Sequence, residues 1–231
     1  EAIEKALGFS PNEILPIPFS KKELKNAKKP GMILILQISK FPDGKSITMH
    51  QIYSILCRGN TINTERVEFS ENQNLMYISE IDDPFFTNEV PVFGWKLVKE
   101  LPETANQNYL QQTKSMLNYL VAEIYENKEV PGQYQKAIDE FSAKEIDLEE
   151  IIRTDWQKAA GEMVKLEANR LLRETPVEVL YGCVLYEKQN KEQILSQTLI
   201  WTKRQYSHGG LVFVGKYDGK SAFINGFWPY D

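Results

Sequence analysis

Chemistry on a polypeptide needs several titratable or nucleophilic groups within reach of one another, and this chain offers two histidines, His50 and His208, and two cysteines, Cys57 and Cys183. Neither histidine stands in a spaced Cys/His/Asp/Glu cluster of the kind that holds zinc, so no metal is expected. A Cys183 thiolate with His208 as its base is the nucleophilic pairing to weigh, because such partners need be neighbours only in space. Cys183 falls among Leu180, Tyr181, Val184 and Leu185, however, which predicts a buried structural thiol, and Cys57 sits on the apolar pattern of a helix. The carboxylate pairs Glu149-Glu150 and Asp82-Asp83 read as surface charge on a helix and in a turn. Gly209-Gly210 and Gly215 lack the strand, glycine loop and helix order that cradles phosphate, and read as turn residues. No catalysis and no cofactor are expected.

What remains is the end of the chain, where Tyr206, His208, Phe213, Lys216, Tyr217, Phe223, Asn225, Phe227, Trp228, Tyr230 and Asp231 crowd together. Side chains alternate along a strand, so Leu211, Val212, Val214 and Gly215 cannot all share one face, and Phe223 should point opposite to Ala222 and Ile224. Some large aromatics are then expected to face outward. They read either as core under the helices or as a surface of rigid anchors and adaptable hydrogen bonds.

The elements that would position them follow from periodicity. Residues 31–40 read as a buried strand, Asp43-Gly44 as a turn, and Thr48 with Gln51 as the cap of a helix running to about Arg58. Residues 76–79 and 92–98 read as short strands with Asp82-Asp83-Pro84 as a turn between them. Leu110, Thr113, Leu117, Leu120 and Ile124 mark one helix, and Leu148, Ile152, Trp156, Ala159, Met163 and Leu166 a longer one. Thr175-Pro176-Val177-Glu178 starts a third helix that buries Val177, Leu180, Tyr181 and Val184 and ends near Gln189-Asn190. The period then changes to two over 197–201, 211–217 and 222–227, with turns at His208-Gly209-Gly210 and Asp218-Gly219, which predicts a small antiparallel sheet. The fold class is α+β, with helices on one face of a mostly antiparallel sheet. An α/β portion over 1–100 precedes a helical segment and sheet over 101–231, as two domains or one continuous one.

Composition narrows the partners. A net charge of −5 and a pI near 5.3 argue against nucleic acid, whose binding draws on clustered Lys and Arg. The basic run Lys21-Lys22 to Lys28-Lys29 is broken by Glu23 and Leu24 and reads as the solvated face of a short helix. The longest apolar run, Met32 to Leu36, is too short for a membrane span. The chain opens on Glu1 without a signal-peptide pattern, and a complete N-terminus would place it in the cytoplasm.

Trp201-Thr202-Lys203-Arg204, Gly209-Gly210-Leu211-Val212-Phe213-Val214-Gly215-Lys216-Tyr217-Asp218 and Ala222-Phe223-Ile224-Asn225-Gly226-Phe227-Trp228-Pro229 together resemble the C-terminal region of variable proteins of diversity-generating retroelements. Thr175-Pro176-Val177-Glu178-Val179-Leu180-Tyr181 and Asn12-Glu13-Ile14-Leu15-Pro16-Ile17-Pro18 resemble their scaffold. The resemblance implies a C-type-lectin-like fold displaying a hypervariable surface that binds diverse ligands, often proteins, without catalysis. Carried over by residue, Tyr206, His208, Phe213, Phe223, Asn225, Gly226, Tyr230 and Asp231 would be display positions, and Gly210, Val212, Val214, Gly215, Ala222 and Pro229 scaffold. Lys216 and Trp228 belong to the same expected surface but depart from the pattern, because neither arises from an Asn codon altered only at its adenines. Phe227 also stands where the pattern has Trp, and related sequences continue beyond Asp231 into a last strand. The rival readings are an interaction module of fixed specificity and a hydrolase using Cys183 and His208. The ligand and the oligomeric state have no signature in the sequence.

Overall fold

Ser20, two residues after Pro18, accepts a hydrogen bond from the Glu23 amide at 3.2 Å while the Glu23 carboxylate accepts from the Ser20 amide at 2.7 Å. That reciprocal cap satisfies two amides a helix start leaves open, and it begins helix α2 (Lys21–Lys28), which follows α1 (Ala2–Leu7). The computed structural model of the chain describes residues 1–56, 83–101, 104, 106–219 and 222–229, apart from the Phe227 side chain. Within them the chain combines helices with two small antiparallel sheets, an α+β architecture. It divides into two compact units, the first of Glu1–Glu100, Pro176–Thr198 and Gly215–Phe223, the second of Leu101–Thr175, Leu199–Val214 and Ile224–Asp231.

In the first unit, β1 (Ile33–Gln37) pairs antiparallel with β2 (Gly94–Val98), from Ile33 opposite Val98 to Gln37 opposite Gly94. The turn at Asp43-Gly44 forms as its chemistry demands, with Gly44 at φ 84° and the Lys45 amide donating to Asp43 Oδ1 at 3.1 Å. Thr48 accepts from the Gln51 amide at 3.3 Å and starts α3 (Met49–Leu56), from which His50 stands edge-on to Phe86. Asp83 is the cap of a short helix, α4 (Pro84–Thr87), rather than part of a simple turn, because its carboxylate accepts the Phe85 amide and Pro84 presets the first helical φ. Cys57, Asp82 and the strand expected over 76–79 lie outside the described residues.

Helix α9 (Pro176–Asn190) buries Val177, Leu180, Tyr181 and Val184 as expected and packs on α1, α3, α4 and β1. Each such side chain contributes roughly 1.5–3 kcal/mol on removal from water. Tyr181 donates its hydroxyl to the Leu36 carbonyl at 3.1 Å, which ties the helix to β1. Glu178, fully buried in the first turn, forms an ion pair with Lys96 of β2 and accepts from the Val92 amide at 3.2 Å.

In the second unit, Asn108 and Gln111 cap each other to begin α5 (Tyr109–Tyr119), which widens into a π-helical turn over Leu120–Ile124. The long helix expected through Leu148 and Leu166 is two, α6 (Gly132–Thr154) and α7 (Trp156–Met163), with Leu166 at the cap of a third, α8 (Glu167–Leu172). The apolar period carries across the breaks because all three bury residues in one core, including Phe141, Leu148, Met163 and Leu166. The backbone turns at Asp155, whose carboxylate accepts the Lys158 amide at 3.1 Å and caps α7 afresh.

The second sheet runs in the order β3 (Leu199–Gln205), β4 (Leu211–Gly215) and β5 (Phe223–Phe227). Every residue of the central strand β4 is buried, so the outward-facing aromatics expected from its alternation are absent there: both of its faces are covered. In β5 the alternation holds, with Ala222 and Ile224 buried and Phe223 and Asn225 half-buried. Arg173 is buried among α5, α8 and β3, where, among the described residues, its guanidinium donates to uncharged oxygens: Asn169 Oδ1, Gln112 Oε1, Thr113 Oγ1 and the Tyr109 and Trp201 carbonyls. It also stacks 3.9 Å from the Tyr109 ring centre, and burial lowers its pKa from the ordinary arginine value. Among the described residues no helix is long and apolar enough to cross a membrane.

Candidate ligand-binding surface

The turn between β3 and β4 is built by Gly209 at φ 103°, a conformation that side chains rarely adopt. The Tyr206 amide donates to the Gly210 carbonyl at 2.7 Å, closing the hairpin. Gln157, in the first turn of α7, donates to the His208 carbonyl at 3.1 Å, and Gln205 donates to the carbonyls of Gly209 at 2.9 Å and Gln157 at 3.3 Å. These bonds fix the hairpin tip against the start of α7. His208 is exposed at that tip, with its ring 5.2 Å from that of Tyr206.

Beside Gln157, the half-buried Trp156 meets Trp228 edge to face at 6.1 Å. Trp228 is 47% exposed, and the next residue, Pro229, is held where its carbonyl accepts the Tyr109 amide at 3.3 Å. The second unit therefore presents His208, Gln157, Trp156 and Trp228 around one helix start. Trp156 and Gln157 were not among the expected surface residues, because Trp156 fits the apolar helical period. The signal that marks them is Asp155, a capping residue directly before Trp156, which places both in an exposed first turn.

The other expected positions divide. Tyr206 and Phe213 are buried, Phe213 edge-on to Trp201 at 5.4 Å and Tyr206 with its ring over the Gly226 Cα. Asn225 is half-buried and its side-chain oxygen accepts the Gly226 amide at 2.7 Å. In the first unit, Lys216 is exposed with its ammonium 5.6 Å from the centre of the half-buried Phe223 ring, a weak cation–π contact. Tyr230 and Asp231 lie outside the described residues.

The arrangement offers aromatic faces, an imidazole and amides: groups suited to contact and hydrogen bonding. Cys183 is buried in the middle of α9, so its thiol is not open to a substrate. Among the described residues no three His, Cys, Asp or Glu side chains gather in a way that could hold a metal ion. Comparison with protein-family models, curated proteins and solved structures gives no match for the chain.

Proposed function

We propose that this chain is a non-catalytic binding protein, which takes a ligand, most plainly another protein, on the surface formed by the β3–β4 hairpin tip, the start of α7 and Trp228. On this reading the scaffold is C-type-lectin-like and the surface is one that a diversity-generating retroelement diversifies. The observation that carries the proposal is Trp228, standing half-exposed against Trp156 with His208 and Gln157 on the same helix start. A tryptophan kept partly in water gains most from a partner that covers it, and such rings rank among the strongest anchors at interfaces.

The DNA beside the gene tests diversification. A downstream near-copy of the codons from Trp201 onward, carrying adenines where the gene differs, next to a reverse transcriptase, supports it; the lack of such a copy removes it. Burial of Tyr206 and Phe213 favours a second reading, an interaction module of fixed specificity, because randomising buried rings disturbs the core. Sister copies separate the two: differences confined to the display positions belong to the first, and differences scattered over the surface to the second.

A further inference from the structure

Among the described residues, the exposed large apolar side chains of the first unit fall in two short segments. Ile14 is 65%, Ile17 46%, Val92 60% and Phe93 39% exposed. They belong to two segments joined by one hydrogen bond, from the Trp95 indole nitrogen to the Leu15 carbonyl at 2.8 Å. Pro16 and Pro18 fix their own φ and bias Leu15 and Ile17, the residues before them, toward extended backbone. Ile14 and Ile17, three positions apart, both stand exposed in this segment. The second segment is anchored by the Val92 amide on Glu178, which leaves the Val92 and Phe93 side chains outward.

Basic charge adjoins this patch. Helix α2 and the residue after it carry Lys21, Lys22, Lys25, Lys28 and Lys29 against Glu23 alone, all five lysines exposed, in a chain whose net charge is −5. Lys21 follows Ile17 by four positions, a span of at most ~14 Å, so apolar and cationic groups occupy neighbouring ground. We infer that the loop around Ile14 and Ile17, with Val92, Phe93 and α2, docks on an anionic lipid surface, the aliphatic side chains entering the headgroup boundary and the lysines meeting lipid phosphates. The charge pattern selects this occupant: a nucleic acid matches the lysines but gains nothing from exposed isoleucines and valine, and an apolar protein groove leaves the lysines without partners.

The test is co-sedimentation of the full chain with vesicles of phosphatidylcholine alone and of phosphatidylcholine mixed with phosphatidylglycerol. The wild-type chain should bind the mixed vesicles, leave the neutral ones, and lose binding as salt rises. K21E/K22E should weaken binding roughly thirtyfold or more, and I14S/I17S/F93S at least tenfold, with circular dichroism and melting unchanged. Absence of wild-type binding to the anionic vesicles overturns the inference, as does undiminished binding by either variant. A drop in oligomeric mass for I14S/I17S/F93S at unchanged fold also overturns it, because the patch would then be an interface between copies of this chain. Neither retroelement diversification nor ligand capture at Trp228 enters the result.

Discussion

At position 226 an added Cβ would fall 2.2 Å from Cδ2 and 2.5 Å from Cε2 of Tyr206, so a side chain there and the buried ring at 206 exclude each other. Gly226→Ala is therefore expected to cost about 1–3 kcal/mol, read from the urea midpoint, because the ring must leave its place or the strand must shift. The Y206S/G226A double variant should lose less than the sum of its single changes by more than about 0.5 kcal/mol, and strict additivity would show that the ring is not what the methyl meets. For a diversified surface the consequence is linked variation, with residues larger than glycine at 226 accompanied by small ones at 206. The resemblance implies display positions at 206 and 226, but not this dependence, since the two residues meet only after the hairpin and β5 are folded. The same holds for Trp156: its spacing matches a core residue, and only the local cap at Asp155 distinguishes it.

Among the elements, legibility followed local chemistry. Thr48, Ser20 and Asn108 all cap helices through contacts within three residues, and of these Thr48 stands out in sequence by its Gln51 partner before an apolar helical period. Helix α9 announced itself by Thr175-Pro176 and by its apolar face. The period through Leu148 and Leu166 does not reveal the break at Asp155, because a shared core imposes one period on successive helices whether or not the axis turns between them. In β4 the core reading of the aromatics holds, because alternation identifies opposite faces, whereas what covers each face is set by packing from distant chain. If Asp155 rather than the apolar pattern defines the start of α7, Asp155→Ala should lower stability by about 0.5–2 kcal/mol in chemical denaturation. The change should also disturb the tryptophan emission of the Trp156–Trp228 pair. Asp155→Asn, which keeps an accepting oxygen, should restore most of both; equal losses in the two variants would assign the effect to charge instead.

For the molecule as a whole, three buried tyrosines set an alkaline limit. Burial pushes the Tyr109 pKa up to about 12, and burial also raises those of Tyr181 and Tyr217, the last reinforced by its 2.7 Å hydrogen bond to the Glu187 carboxylate. In the unfolded chain these phenols ionise near pH 10, so above that pH the unfolded state loses protons that the folded state keeps. The stability they contribute is fully present below about pH 10 and falls as pH rises, by about 1.4 kcal/mol per pH unit for each tyrosine, until for Tyr109 the folded pKa is reached. Urea midpoints should hold steady to about pH 10 and then drop, with tyrosinate absorbance for these rings appearing together with unfolding. Ionisation ahead of unfolding would show that the rings are open to solvent.

Connectivity sets a second whole-molecule property. The first unit joins Glu1–Glu100 to two segments distant in sequence, Pro176–Thr198 and Gly215–Phe223. Helix α9 brings it Val177, Leu180, Tyr181 and Val184, the hydroxyl held by Leu36 and the carboxylate that buries the Lys96 ion pair. A fragment of Glu1–Glu100 lacks all of these and keeps, among its described residues, a two-stranded sheet, which is marginal in water without a helix packed on it. It should therefore give a largely unfolded circular dichroism spectrum and no cooperative melt. Adding a separate peptide of residues 176–198 should raise its helicity beyond the sum of the parts, because α9 supplies the missing face of that core. A fragment that melts cooperatively by itself would mean that α1, α3 and β1 close a core among themselves, and that α9 is an addition to the first unit rather than its centre.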